Sequence, residues 1–557
     1  MFSGEPYSFP LGQLPDIQKA ADTDRIVEYA QSMAEEYGLL QTQIVGCLCQ
    51  VIVYDPEVCK NIFTTKAQFY HKASESQKEI MRPLLHNGLL LSEDHYWKQQ
   101  RTLLSPGFHF WYLQEMVPII DSCIDGWTKK VMKMIDSSST QSVELEMSHE
   151  LATQTLDSVA TAAFGQGFLT DPKRADLFIH SLKEVLDNMQ ARTLNLLGFI
   201  PIIKTMPFPS LKAIQRGCNN IDTIVASIVR DRKEGRSHVI AGGHHAGSEK
   251  LREENNGEEV RRRDLLDLLL DAQANMPEGQ VLTDRGVEEE SINFIAAGAE
   301  TTSNLCIWML YRILTEVPAP GQKSVLEKVR EEIDRVCPIG TQPDIDHLKE
   351  LKYLEAVAYE SLRLHPPAPT IPKYATQTHE MQLSGGRTIT IPAGTTLLMN
   401  ANVIHRLEAY WPESDKFKPE RFLAGGDMDQ SEDNHENTTA GSSGGIASPK
   451  TQLTPEEKAR RAAQPFAFLG FSAGPRKCIG KNLAMIEIKV IFTFLFQHFD
   501  LEIVPGQYIA ANAITRLPKN GIKMVLKKRK TPTNVSTSTS AEESASYAAV
   551  IKPLGMI

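Results

Sequence analysis

Within Phe471-Ser-Ala-Gly474-Pro-Arg476-Lys-Cys478-Ile-Gly480, one cysteine sits on a glycine-punctuated segment just ahead of a long helical pattern. Backbone N–H groups and a helix N-terminus lower the pKa of a cysteine so placed, and a thiolate is a good axial ligand for haem iron. Gly474 and Gly480 suit the tight path of such a loop, because glycine tolerates positive φ and close backbone approach. Arg476 carries the charge that a haem propionate needs. A lone cysteine in a turn reads better as a buried free thiol. Phe471, Gly474, Arg476, Cys478 and Gly480 in one register reverse that preference.

A second constellation, Ala297-Gly298-Ala299-Glu300-Thr301-Thr302, interrupts an apolar run that contains Ile292, Phe294, Ile295, Leu305 and Ile307, in a helical pattern opened by Thr283 as N-cap. Glycine in mid-helix costs ~1 kcal/mol against alanine. With a carboxylate and two threonines beside it, it makes a local conflict of the kind found at functional sites. A hydroxyl next to an acid can hold the water that delivers a proton; the plain alternative is a threonine bonding back to its own helix carbonyl. Two further pairs stand at helical spacing: Glu360 with Arg363, inside Tyr359-Glu-Ser-Leu-Arg-Leu-His365-Pro366-Pro367, and Trp97 with Arg101. Phe417-Lys-Pro419-Glu420-Arg421-Phe422 follows downstream.

Residues 471–480 match the FxxGxRxCxG haem signature, so the chain resembles the cytochrome P450 superfamily, and Ala484 extends the match. The resemblance implies haem b (iron protoporphyrin IX) with Cys478 as axial thiolate, and O2 activated under a central helix where Thr301 donates a hydrogen bond and Glu300 relays protons. It implies a buried structural triad of Glu360, Arg363 and Arg421 that braces the haem loop. It also implies propionate contacts from Trp97, Arg101 and Arg476. Lys373 stands where many members have arginine, a departure that still offers a propionate a charge. The reaction implied is insertion of one oxygen atom into a hydrophobic substrate such as a fatty acid, sterol or terpenoid. No GxGxxG follows a strand, so electrons are expected from a separate NADPH-dependent flavoprotein reductase, with Lys98, Lys477 and Lys481 near its docking face. Two other readings keep the haem: a peroxide-rearranging isomerase or dehydratase, which Glu300-Thr301 argues against, and a non-catalytic haem sensor or carrier.

These residues need elements to hold them. Helical periodicity predicts helices over 22–37, 121–135, 175–194, 210–233, 283–314, 325–336, 344–364 and 482–496. Alternation predicts a strand over 43–54, with Cys47 and Cys49 as small apolar residues, and Met381 to Ile391 reads as a hairpin turning at Gly385-Gly386. The fold class expected is α+β, mostly helical, with a small β-rich lobe. Residues 1–528 read as a single domain carrying disordered inserts at 236–263 and 425–464, and 529–557 as a disordered tail headed by the solvated cluster Lys527-Lys-Arg-Lys530. Substrate contacts are expected from Leu84, Leu85, Leu89, Leu90, Phe294, Ala297, the 368–371 turn and Ile514.

The 557 residues are 41% hydrophobic with a net charge of -10. That balance argues against nucleic acid as a partner, which would call for a basic stripe. Eight scattered cysteines in so long a chain fit reduced thiols. No run of ~20 apolar residues could span a bilayer. Pro6 to Pro15 resembles the proline-rich hinge after a microsomal anchor, so the chain begins where an anchor would have ended, the member either lacking one or being short there. Leu194 to Pro209 suits either a peripheral membrane contact or a lid over the substrate. The expected location is the cytosolic side, peripheral to the endoplasmic reticulum.

Overall fold

The structure, a computed structural model, describes residues 12–45, 48–165, 171–193, 209–235, 264–275, 282–383, 387–423, 463–509, 518 and 520–530. The 6–11 part of the hinge, the 194–208 segment, both inserts up to residue 462, Ile514 and the chain beyond 530 lie outside the described residues.

Helices dominate. In chain order they are α1 (Leu14–Asp22), α2 (Ile26–Tyr37), α3 (Pro56–Phe63), α4 (Glu75–Leu85), α5 (Asp94–Leu104), α6 (Phe110–Ser137), α7 (Met147–Phe164), α8 (Pro172–Thr193), α9 (Pro209–Lys233), α10 (Leu265–Asn275), α11 (Asp284–Thr315), α12 (Val325–Val336), α13 (Ile345–Glu350), α14 (Lys352–Leu364), α15 (Ala401–Ile404) and α16 (Lys481–His498). The strands are β1 (Leu40–Val45), β2 (Leu48–Val53), β3 (Tyr70–His71), β4 (Ser142–Glu146), β5 (Thr370–Ala375), β6 (His379–Gln382), β7 (Thr388–Ile391), β8 (Thr396–Asn400), β9 (Phe499–Ile503) and β10 (Lys523–Lys528). One sheet has the order β1-β2-β8-β5-β3, a second β4-β10-β9, and β6-β7 form a hairpin. The mostly helical α+β architecture expected from the sequence is the one observed.

Three expectations need correction. The strand over 43–54 is two antiparallel strands, with Val45 paired to Leu48; Cys49 lies on β2 and Cys47 outside the described residues. The helix over 344–364 is α13 and α14, parted at Leu351, whose ψ of 68° leaves the helical region. The cluster 527–530 is not merely solvated: Lys527 pairs with Glu502, Lys528 with Asp136 and Arg529 with Asp334.

Helix α11 is the axis. Thr283 caps it by accepting from the Gly286 N–H at 3.0 Å, and Arg312 in its last turn suits the negative end of the helix dipole. Its first half packs with α4, α8, α9 and α10 in one apolar cluster, and its second half with α6, α12, α14 and α16 in another. At its C-terminal end Trp308 stacks on His365, with ring centroids 4.2 Å apart, and Arg312 bonds the same imidazole. α16 is buried almost all round, as a helix threaded through a core must be. Among the described residues no helix is long and apolar enough to cross a membrane.

Candidate active site

The loop before α16 closes on itself. The Cys478 N–H donates to the Phe471 carbonyl at 2.9 Å, and the Lys477 N–H to the Gly474 carbonyl at 3.0 Å. Gly474 has φ of +69°, and a Cβ there would fall 2.3 Å from the Phe63 carbonyl oxygen, so only glycine lets the loop lie against α3. Gly480 departs from expectation, since its φ is an ordinary −86°. A Cβ there would make only ordinary contact, 4.0 Å from Cys478 Sγ and 4.0 Å from Phe108. The Phe471 ring meets Tyr359 edge-on and packs on the core, so this residue serves the loop by its carbonyl and its anchorage.

The thiol itself corrects a second expectation. Burial raises the Cys478 pKa and outweighs the lowering by the Gly480 N–H, Arg101, Lys72 and the Lys481 N–H. A free cysteine here is held as thiol, and a bound metal cation must supply what the loop does not. Among the described residues no group of three or more His, Cys, Asp or Glu could hold a bare metal ion. One sulfur therefore suits a metal that arrives with its other ligands.

Four cations converge beside that sulfur. Arg476 lies 4.2 Å over the Trp97 ring, donates to the Ser92 carbonyl at 2.7 Å and pairs with Glu93, while its Nη1 is buried with no hydrogen-bond partner. Lys373, on β5, is 7% exposed and rests over Phe63. Burial, then repulsion from Arg476, pushes Lys373 down to about 8; burial, then Arg476 and Lys373, does the same to Lys72. Arg101, one turn after Trp97 on α5, is lowered by burial, and a thiolate at Cys478 would raise it. Glu93 is the one carboxylate that eases the lysines. Such mutual repulsion marks a site made for anionic oxygens. One sulfur, an unpartnered guanidinium nitrogen and four cations outnumbering Glu93 and Asp94 fit an iron porphyrin with two propionates.

On α11, Phe294, Ala297 and Thr301 share one face by helical period. Phe294 stacks on Phe108, 5.4 Å between centroids, and Phe108 borders Gly480, so this face looks toward the cysteine loop. Thr301 is exposed there and donates to the Ala297 carbonyl at 2.6 Å. The back-bond is present, and the hydroxyl lone pairs are still free to accept. Glu300 leaves the helix about 100° away, into a cavity of about 630 Å³ lined also by His149, Phe178, Lys183, Asp187 and Ser303. Burial and then Asp187 raise its pKa to about 8. No hydrogen bond joins Glu300 to Thr301 among those seen, so any exchange between them runs through water. Gly298 allows α7 to approach, because a Cβ would meet Val159 at 3.0 Å.

Glu360, Arg363 and Arg421 come together in the core, at 0%, 0% and 4% exposure. Arg363 holds Glu360 through two bonds of 2.7 Å and gives its remaining N–H groups to the carbonyls of His405, Ser414 and Lys416. Arg421 reaches Glu360 at 3.5 Å.

Several residues escaped the sequence reading. His405 links the triad to the cysteine segment: Nδ1 meets the Arg363 carbonyl at 2.9 Å, and Nε2 accepts from the Leu469 N–H at 2.8 Å. Burial drives its pKa to about 3, so it is neutral. Glu290 and Asn293 of α11 accept the Leu89 and Leu90 N–H groups, pinning the loop ahead of Trp97. Lys72 and Glu93 had no motif to reveal them. Of the expected substrate contacts, Leu84, Leu85 and Leu89 are core residues packed around the first half of α11, while Ala368 and Thr370 are exposed.

A cysteine loop facing a central helix, its sulfur accessible beside four cations, defines a haem-thiolate enzyme, and comparison with known proteins agrees. The cytochrome P450 family model matches residues 4–526, and the chain belongs to that family. It is 28% identical over 511 residues to cytochrome P450 97B2, chloroplastic, of Glycine max, covering 89% of this chain and 81% of that one. Identity to cytochrome P450 72A552 of Barbarea vulgaris is 27%, with 94% and 91% covered, and to taurochenodeoxycholic 6 alpha-hydroxylase of Sus scrofa 26%, with 87% and 83% covered. The protein is thus a monooxygenase, an oxidoreductase that incorporates oxygen from O2 and binds haem b through an axial cysteine thiolate.

Proposed function

We propose that this enzyme oxidises a hydrophobic small molecule, a fatty acid, sterol or terpenoid, at the face of α11 that carries Phe294, Ala297 and Thr301. The observation that carries the reading is the convergence of Arg101, Arg476, Lys373 and Lys72 on the Cys478 loop opposite that face. Haem b supplies oxygen activation. Cys478 would hold it through its sulfur, and Arg476, packed over Trp97, would orient a propionate together with Arg101 and Lys373. Phe294 and Phe108 present an apolar wall that excludes water from the substrate. Thr301 accepts a hydrogen bond from water while its own proton stays on the Ala297 carbonyl, and it can turn that proton outward when needed. Glu300, uncharged below about pH 8, holds a proton at the wall of a second cavity and passes it toward Thr301 through water. Glu360, Arg363 and Arg421 hold the scaffold, with His405 transmitting it to the loop.

Electrons come from a separate NADPH-dependent flavoprotein reductase, and the protein works on the cytosolic side, peripheral to the endoplasmic reticulum. The steroid named by the pig hydroxylase supports a polycyclic or long-chain lipid as substrate. Turnover should need both NADPH and the reductase, and lipophilic compounds should shift the Soret band as they displace iron-bound water. Thr301→Ala should divert reducing equivalents to hydrogen peroxide, with product per NADPH falling about 10-fold. Unchanged coupling in that variant would count against the Thr301 role.

A further inference from the structure

A buried polar layer joins the helices that carry the site, and the mechanism above leaves it unused. On α7, Gln154, Asp157, Ser158 and Thr161 recur at helical spacing along one face, and all four are buried. Across from them stand Glu487 of α16 and Cys123 of α6. Glu487 is 1% exposed, and neither of its carboxyl oxygens makes a direct hydrogen bond; the same holds for Ser158 Oγ and Thr161 Oγ1. Ser158 is the side chain that favours the charged form of Glu487, and Thr161 does the same for Cys123. The titratable groups facing this carboxyl are Cys123 from α6, Asp157 beside Cys123 on α7, and Cys306 from α11, none of them a cation. Burial raises Glu487 well above its ordinary 4.5. Orphaned oxygens at such depth are satisfied in folded proteins by internal water.

Helix α7 also touches the oxygen side. Thr155 donates to the Ala299 carbonyl at 2.9 Å, and Val159 fills the notch at Gly298. One helix therefore meets both the Glu300–Thr301 segment and α16, which starts just after Cys478.

We propose that Glu487 is a positioning residue: joined to Ser158 directly or through one buried water, it locks α16 to α7 and sets the spacing of the Cys478 loop from the Gly298–Thr301 turn. The function of the lock rests on Cys478 being the iron ligand. The chemistry of the lock does not, so failure of either is seen separately.

The test compares wild-type, Glu487→Gln and Glu487→Leu holoenzymes. A protonated-carboxyl infrared band should be present in wild type and missing from Glu487→Gln. A carboxyl with a raised folded pKa lends stability that is full below its unfolded value and lost as pH rises toward the folded one. The melting temperature of Glu487→Gln should therefore gain on wild type as pH rises above the ordinary 4.5 of the carboxyl. Glu487→Gln should keep the wild-type share of the thiolate-type carbon monoxide band, and Glu487→Leu should reduce that share about two-fold. Should the leucine variant not accumulate folded, Ser158→Ala is read instead, with a smaller loss in the same direction. No infrared difference, a melting gap constant with pH, or a wild-type share of the band in the disrupting variant overturns the proposal.

Discussion

Two clusters of charge flank the cysteine segment and are built on opposite plans. Around Glu360 every charge is answered: Arg363 is bidentate, its spare N–H groups end on three carbonyls, and the Lys418 N–H donates to the same carboxylate at 2.7 Å. Around Arg476 four cations share two nearby carboxylates, Glu93 and Asp94, and two lysines are driven down to about 8. The first cluster is complete within the chain and the second is not. Completeness separates a charged core that holds a fold from a charged recess that waits for an anionic group, although both are buried and both contain arginine.

Breaking the complete cluster should have the largest effect. Glu360→Ala strands two buried guanidinium groups and should destabilise the protein by about 3–5 kcal/mol, read as loss of folded holoenzyme in denaturant titrations. An exposed-pair effect of under about 1 kcal/mol would erase the contrast.

Breaking the incomplete cluster should do the reverse. The folded value of Lys373, about 8, lies under its ordinary 10.5, so the stability it withholds is fully lost below about pH 8 and returns as pH climbs toward 10.5. Lys373→Met should then stabilise the haem-free protein at pH 7 by up to about 3 kcal/mol, while weakening haem retention about 10-fold. Thermal melts with and without haem would read both signs. A destabilised haem-free variant would place Lys373 with the structural cluster.

Glu300 sharpens the comparison with the smallest effect, being a carboxyl eased by neither plan. Product formed per NADPH should fall as pH passes about 8, where Glu300 loses its proton. Glu300→Gln should flatten that dependence and cost about 10-fold in coupled turnover. A profile that keeps its limb near pH 8 in the variant would assign it to another group.

What was legible in the sequence follows the same division. The cysteine loop and the Glu360–Arg363 pair declare themselves by local spacing, and Arg421 by a signature close along the chain. Lys72, Glu93 and His405 take their roles from partners tens to hundreds of residues away, and no local pattern encodes that. Helix α7 was missed because its buried face is polar: Gln154, Asp157, Ser158 and Thr161 stand where apolar period would have marked a helix. Helices α4 and α5 carry strong polar content on short spans, which hides their inward faces. The hydrogen bonds that pin 85–90 to α11 decide which leucines are core, and periodicity alone could not say so.

Cys478 as the proposed protein ligand of the iron has a direct spectroscopic signature. Reduced holoenzyme exposed to carbon monoxide should show the strongly red-shifted Soret band of a thiolate-ligated haem, and Cys478→Ser should abolish it. An unshifted, histidine-like band in the wild type, or a red-shifted band that survives in Cys478→Ser, would contradict the account.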